Sequence, residues 1–281
     1  MGKNKRFDAV RIKDLDGFHS IVPYIMPKRS ESEVSLTQEF DITALNKYIE
    51  ERNKEAGTNL KLFHCIATAV AKTIYHRPLM NTFIAGKCFY KRNDITLSFV
   101  AKQTFNDEAQ ELLMFIKAKP EMNVNDFSKL ILGDVKTARS KKTNDVGDLM
   151  DKVGKLPRFI LEIFFWLLRV FEYFGIYPKS LAAGDPNYST VLMSNLGSIG
   201  SNSCYHHLSN FGTNSIMMTI GTIKHDEMTG KDSVEMTFTL DERIADGFYF
   251  AKSLRMFSYV FENPTELAEP ISKEVPEDLF K

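Results

Sequence analysis

An α/β fold with a mixed sheet is predicted for this chain of 281 residues, on three observations. Strand-like and helix-like segments interleave along its whole length. Its composition, 43 % hydrophobic and 26 % charged, is that of a globular protein. No internal repeat breaks the pattern. The length allows one large domain or two small ones.

Val34 to Phe40 alternates as a strand, and Asp41-Ile42-Thr43 then caps a helix that carries Leu45, Tyr48 and Ile49 toward Gly57. Leu60 to Tyr75 is a second helix, rich in Ala and stopped by Arg77-Pro78. Phe83-Ile84, Ala85-Gly86-Lys87 and Cys88-Phe89-Tyr90 together form a hairpin. Ile95, Leu97 and Phe99 alternate as a half-buried strand, after which a helix is predicted from Asp107 to about Lys117. Asn123 to Leu132 is helical too. The polar stretch from Lys136 to Asp148 is nearly free of apolar residues and is the best candidate for a linker or mobile loop. After an apolar helix, Gly184-Asp185-Pro186-Asn187 marks a turn. The rest comprises strand Ser189–Ser194, a Gly/Ser/Asn-rich loop, strands Ser215–Gly221 and Val234–Leu240, and a helix from Tyr249 to Phe261.

Lys and Arg number 36, as do Asp and Glu, so the formal net charge is +0. The broad positive field that draws a protein onto nucleic acid or an anionic membrane is missing, and neither partner is expected. The Cys residues, Cys65, Cys88 and Cys204, are too few and scattered for a disulfide framework and have no paired zinc spacing. The basic start Met1-Gly2-Lys3-Asn4-Lys5-Arg6 leads into Phe7-Asp8 rather than an apolar stretch, and Arg6 stands where myristoylation needs Ser or Thr. A cytoplasmic protein is expected. Leu156 to Ile176 has no uncharged run longer than Ile163–Leu168, whereas a membrane span needs about 20 residues. Arg158, Glu162, Arg169 and Glu172 fall within about 80° on a helical wheel. This helix has a narrow charged stripe and a broad apolar face, and burial in the core or a subunit interface is predicted over membrane attachment.

Nucleotide and metal motifs fail. Gly197-Ser198-Ile199-Gly200 lacks the third glycine of a dinucleotide fingerprint, and Gly230-Lys231 is followed by Asp232 with His225 five residues before Gly230. His64-Cys65 falls on a buried helix, and adjacent His206 and His207 are expected to diverge. Two segments remain: Met193-Ser194-Asn195-Leu196-Gly197-Ser198-Ile199-Gly200, and Thr239-Leu240-Asp241-Glu242-Arg243-Ile244-Ala245-Asp246-Gly247. By itself the second is as well read as a plain turn, since Asp and Gly are turn formers.

Together the two segments resemble one family. The second is similar to the Asp-His-Arg-x-x-Asp-Gly signature of the dihydrolipoyl acyltransferases of 2-oxoacid dehydrogenase complexes, whose catalytic fold is shared with chloramphenicol acetyltransferase. The first resembles the Ser-Asn-x-Gly-Ser-x-Gly stretch of the branched-chain members. Glu39-Phe40-Asp41-Ile42-Thr43-Ala44-Leu45, Arg77-Pro78-Leu79-Met80-Asn81, Asn93-Asp94-Ile95-Thr96-Leu97-Ser98-Phe99-Val100 and Glu262-Asn263-Pro264 match as well, in the family's order. The resemblance covers about His19 to Lys117 and Tyr188 to Pro264. It implies a chloramphenicol acetyltransferase-like two-layer sandwich, a mixed β-sheet with helices, formed by residues 1–281 as one domain. Residues 120–186 are expected to be a mostly helical insertion. Lipoyl and subunit-binding domains are not found, so a stand-alone relative is expected.

The resemblance also implies roles. Glu242 stands where the family has its catalytic His, which takes a proton from a thiol or hydroxyl acceptor. Ser194 would stabilise the oxyanion. Asp246 would buttress the loop through an Arg, with Arg29 its candidate partner, and Arg243, Asn195 and Gly247 retain matched positions. His206 and His207 are the only histidines close in sequence to the site and are the alternative bases. Acyl coenzyme A is the implied substrate, with no metal, in a homotrimer whose sites lie between subunits. A thiol near pKa 8.5 and a Glu near 4.3 differ by about 4 units, roughly 5.7 kcal/mol. Burial can raise a carboxyl by ~3–5 units, whereas a neighbouring Arg243 lowers it, and both directions stay open. The alternative is a non-catalytic oligomeric scaffold or acyl/coenzyme A-binding protein on the same fold.

Overall fold

Sheet and helices share one apolar interface. A computed structural model describes residues 6–55, 58–102, 111–140, 153–182, 185–276 and 278. The elements are β1 (Ala9–Arg11), α1 (Gly17–Ile25), β2 (Glu33–Asp41), α2 (Thr43–Lys54), α3 (Leu62–His76), β3 (Thr82–Ala85), β4 (Cys88–Arg92), β5 (Ile95–Lys102), β6 (Glu111–Ala118) and α4 (Val124–Ser140). They continue with α5 (Arg158–Phe174), α6 (Lys179–Ala182), β7 (Val191–Asn195), β8 (Ile216–Asp226), β9 (Lys231–Asp241) and α7 (Gly247–Glu262). A six-stranded sheet runs β2-β9-β8-β7-β5-β6, and a three-stranded sheet runs β1-β4-β3. β7 is parallel to β5 and β8 while the other pairings of the large sheet are antiparallel, so the sheet is mixed.

Residues two apart along a strand share a face. Val191 and Met193, Ile216 and Met218, and Phe238 and Leu240 therefore lie together and bury against α2, α3, α4 and α7 through Leu45, Ile66, Phe127 and Phe257. Phe40 at the end of β2 meets Phe238, Phe257 and Phe261 edge to face, the aromatic core that the composition implies. Asp41, the last residue of β2, accepts from the N–H of Thr43, the first residue of α2, at 2.9 Å, while Ile42 is the N-cap. Between β3 and β4, Gly86 and Lys87 both have positive φ, and a Cβ on Gly86 would come within 2.2 Å of the Tyr173 carbonyl oxygen, so only glycine lets this hairpin abut α5.

α3 is buried along most of its length and places charge in the core. Lys72 Nζ donates to the Glu266 carboxylate at 3.0 Å. His64 Nδ1 accepts from the Lys61 N–H at 3.3 Å, and burial, aided by the Lys61 charge, pushes its pKa down to about 4. An unfolded His near 6.5 binds protons more readily than this one, so protonation favours unfolding. Stability measured by urea denaturation is expected to fall as pH drops from about 6.5 toward 4, and His64→Asn is expected to flatten that slope.

Two expectations are corrected. Residues 111–118, assigned to a helix from Asp107 to Lys117, form β6; residues 107–110 lie outside the described residues. Met114 and Ile116 bury toward the helix layer while Lys117 faces solvent, a period of two completed by the ladder with β5. The helix in 156–176 exists as α5, ended by left-handed Gly175, and of the two placements expected, core or subunit interface, it is the core one that does not hold. Leu168 packs with Tyr177, Ala182 and Tyr188, whereas Phe159, Ile163, Trp166 and Phe174 on its outer side are each more than half exposed. Of the polar stretch 136–148, residues 136–140 continue α4 and 141–148 lie outside the described residues.

Candidate active site

Asp241, the last residue of β9, has no exposed surface and holds the turn into α7 together. Arg243 Nε and Nη2 donate to its two carboxylate oxygens at 2.7 and 2.6 Å, a paired arrangement. Ser32 Oγ adds a bond at 3.1 Å, and Arg29 Nε lies 4.0 Å away. Arg29 is anchored by donating to the carbonyls of Ser209 and Gly212. Burial pushes its guanidinium below the ordinary value, Asp241 opposes that shift and the Arg243 charge adds to it.

The expected pairing of Arg29 with Asp246 is therefore replaced by Arg29 with Asp241. Asp246 immediately precedes Gly247, the first residue of α7, and its carboxylate caps that helix by accepting from the Tyr249 N–H at 2.8 Å. The cation within its electrostatic reach is Arg77, which stacks on Tyr249 at 3.6 Å. Glu242 is pinned by its backbone, whose N–H donates to Ser32 at 2.9 Å, while its exposed carboxylate makes no hydrogen bond or ion pair among the described residues.

Ser194 lies partway along the sheet, level with Thr237, which is four residues from Asp241. It follows core-facing Met193 on β7, so it takes the face away from the helices, half-buried and without a side-chain hydrogen bond among the described residues. Register places it beside Thr219, which lies beside Thr237 and then Thr37, a row of hydroxyls across four strands. Asn195 caps the next turn by accepting from the Ser198 N–H at 3.2 Å. A Cβ on Gly197 would come within 2.2 Å of the Gly221 carbonyl oxygen, which explains glycine there.

The segment after Gly200 crosses this outer face. Ser203 Oγ donates to Glu235 at 2.7 Å, Thr219 Oγ1 to the Cys204 carbonyl at 2.7 Å, and the Leu208 N–H to Glu33 at 2.6 Å. His206 and His207 thus stand between the level of Ser194 and that of Asp241. They do not diverge as expected: their rings stack with centroids 4.9 Å apart, because His206 Nδ1 bonds the His207 carbonyl.

Asp241 lies four residues beyond Thr237 and two strands from β7, which separates its backbone from that of Ser194 by about 16 Å within one protomer. Ser194 and the Glu242 that follows Asp241 are not brought together in a single chain. Arg29, Arg243 and Asp241 are. Asp241 was not singled out from the sequence; its signal was its position as the first residue of the signature, next to a retained Arg. No group of three or more His, Cys, Asp or Glu that could hold a metal occurs among the described residues.

This architecture is the fold of the chloramphenicol acetyltransferase-like acyltransferase cores. The chain is similar to a probable dihydrolipoamide acetyltransferase from Listeria monocytogenes, with 19 % identity, coverage of 95 % of this chain and 97 % of that one, and a TM-score of 0.57. It resembles the dihydrolipoamide acetyltransferase of Azotobacter vinelandii at 13 % identity, 92 % and 94 % coverage and a TM-score of 0.60. A chloramphenicol acetyltransferase matches at 12 % identity, 91 % and 98 % coverage and a TM-score of 0.55. No family model and no curated protein matches the sequence. No helix among the described residues is long and apolar enough to cross a membrane.

Proposed function

We propose that this chain is an acyltransferase that moves an acyl group from a coenzyme A thioester to a thiol or hydroxyl acceptor in the cytoplasm. It works as a homotrimer in which Glu242 of one protomer meets Ser194 of the next. The observation that carries this reading is the shared fold, over nine-tenths of the chain and of the acyltransferase cores, with an unpartnered serine hydroxyl on the outer face of the sheet. The free Glu242 carboxylate follows Asp241, whose backbone lies about 16 Å from that of Ser194 in the same chain, and this supports a site completed by a second copy. The exposed apolar side of α5 supports an assembly in which more surface is covered. On this reading residues 1–281 are one domain and 120–186 an insertion within it, supported by α4 in the main core and by the close approach of Gly86, between β3 and β4, to Tyr173 of α5.

In this mechanism the Glu242 carboxylate takes the proton from the acceptor as it attacks the thioester carbonyl carbon. Ser194 Oγ–H donates to the tetrahedral oxyanion. When the carbon–sulfur bond breaks, the carboxyl returns its proton to the departing thiolate, giving acylated acceptor and free coenzyme A. Asp241, Arg29 and Arg243 position the Glu242 backbone, and Asp246 fixes the start of α7.

Acetyl coenzyme A mixed with a panel of thiol and hydroxyl acceptors is expected to release free thiol. Glu242→Gln is expected to lower the rate by about 10²–10⁴-fold. Activity that survives this change and is lost in His206→Ala or His207→Ala moves the proton to the imidazole. Coenzyme A binding without turnover on any acceptor overturns the enzymatic reading in favour of a scaffold.

A further inference from the structure

Beneath the C-terminal half of α5 lies a cavity of about 210 Å³, roofed by Arg169, Glu172 and Tyr173 and bounded by Arg29, Lys87 and Arg243. With Lys28 at its edge, five cations line it against one carboxylate, Glu172. That carboxylate is already engaged, accepting from Tyr188 Oη at 2.9 Å and from Arg6. Asp241 behind the wall is occupied by Arg243 and Arg29. Lys87 Nζ donates to the Pro23 carbonyl, and Arg169 makes no hydrogen bond or ion pair among the described residues. Arg29, only 6 % exposed, also lines the cavity, with its enclosed Nε turned toward the Asp241 carboxylate 4.0 Å away.

Like charges gathered around one cavity repel one another, and an anion among them relieves that repulsion. Burial, with Arg243 next, holds the Lys87 ammonium below its ordinary pKa. Aromatic rings form part of the remaining wall: Tyr177 and Tyr188 pack with centroids 4.8 Å apart, and Phe211 meets Tyr188 edge-on. Five cations line the cavity against a single carboxylate, a surplus that an anion offsets, and a flat apolar body fits the rings.

We propose that this cavity binds a small organic anion, with a carboxylate or phosphate head at Arg29, Lys87 and Arg169 and a flat apolar body against Tyr177 and Phe211. The site shares Arg29 and Arg243 with the turn that carries Glu242, but Arg169 and Lys87 take no part in acyl transfer, so binding lost in their variants tests this site apart from that reading.

The test is calorimetric titration of the full chain with benzoate and with inorganic phosphate, ionic strength held constant with sodium chloride. Benzoate is expected to bind one site per protomer with a Kd of about 1 mM or tighter. Arg169→Gln and Lys87→Gln are each expected to weaken it about tenfold or more, the loss of one charged hydrogen bond. Arg29→Lys, which keeps the charge and removes the planar guanidinium, is expected to weaken it too, with thermal unfolding confirming the fold. Lys231→Gln, on the distant β8–β9 hairpin, is expected to leave it unchanged. Binding of phosphate with no binding of benzoate overturns the apolar body. No saturable heat below about 10 mM, equal affinity in Arg169→Gln and Lys87→Gln, or equal weakening by Lys231→Gln overturns the site.

Discussion

Asp241→Ala is expected to cost about 3–5 kcal/mol of folding stability, read as a lower urea midpoint with an unchanged slope. The carboxylate is fully buried between Arg243, which donates to it twice from its side chain, and Arg29 at 4.0 Å. Removing it leaves two buried guanidiniums facing one another without a counter-charge. Against a total of about 5–15 kcal/mol for a typical domain, that is enough to abolish folding at raised temperature. Glu242→Ala, one residue on, is expected to stay within about 0.5 kcal/mol, because its side chain is exposed and makes no contact of this kind. Equal losses at the two positions, or a loss below about 1 kcal/mol at Asp241, would show that the ion cluster does not hold the turn.

The second large effect is on activity. Ser194→Ala is expected to reduce turnover by about 10²–10³-fold, the scale of losing one oxyanion donor. Glu242→Gln alone is also nearly inactive on the proposed mechanism. If each site takes its serine from one protomer and its carboxylate from another, unfolding and refolding the two variants together in equal amounts regenerates intact sites. Random assembly gives about one quarter of wild-type activity. A site contained within one chain gives no recovery. Sedimentation of the wild type at micromolar concentration adds a second check: a clean monomer overturns the shared site.

Much of the sheet and helix layer was legible in the sequence because burial imposes a period. Phe40 in β2, Leu97 and Phe99 in β5 and the alternating residues of β9 each declare a face, and the apolar run of α3 ends where Pro78 removes a donor. The stretch before Lys117 was misread because Asp107 to Glu111 is rich in helix formers, while β6 exists through its ladder with β5. Local propensity cannot register a strand partner. α5 was legible as a helix, yet its two apolar sides are chemically alike, so which of them is covered depends on where Tyr177, Tyr188 and Phe211 lie.

The signature around Glu242 was visible as a run of charges. Its internal wiring was not, because Asp241 and Asp246 are the same residue type at either end of one turn. Position separates them: Asp241 closes a buried strand end and meets two arginines, whereas Asp246 stands one residue before α7 and spends its carboxylate on a backbone N–H. In the same way, Arg29, Arg169 and Lys87, from three distant stretches, share a cavity that no spacing rule reveals. The order of apolar and turn residues along the chain determined that strands and helices form and roughly where. Which charges neutralise each other, and which line one cavity together, was decided only by tertiary packing, since Coulomb energy and desolvation depend on distance through space rather than along the chain.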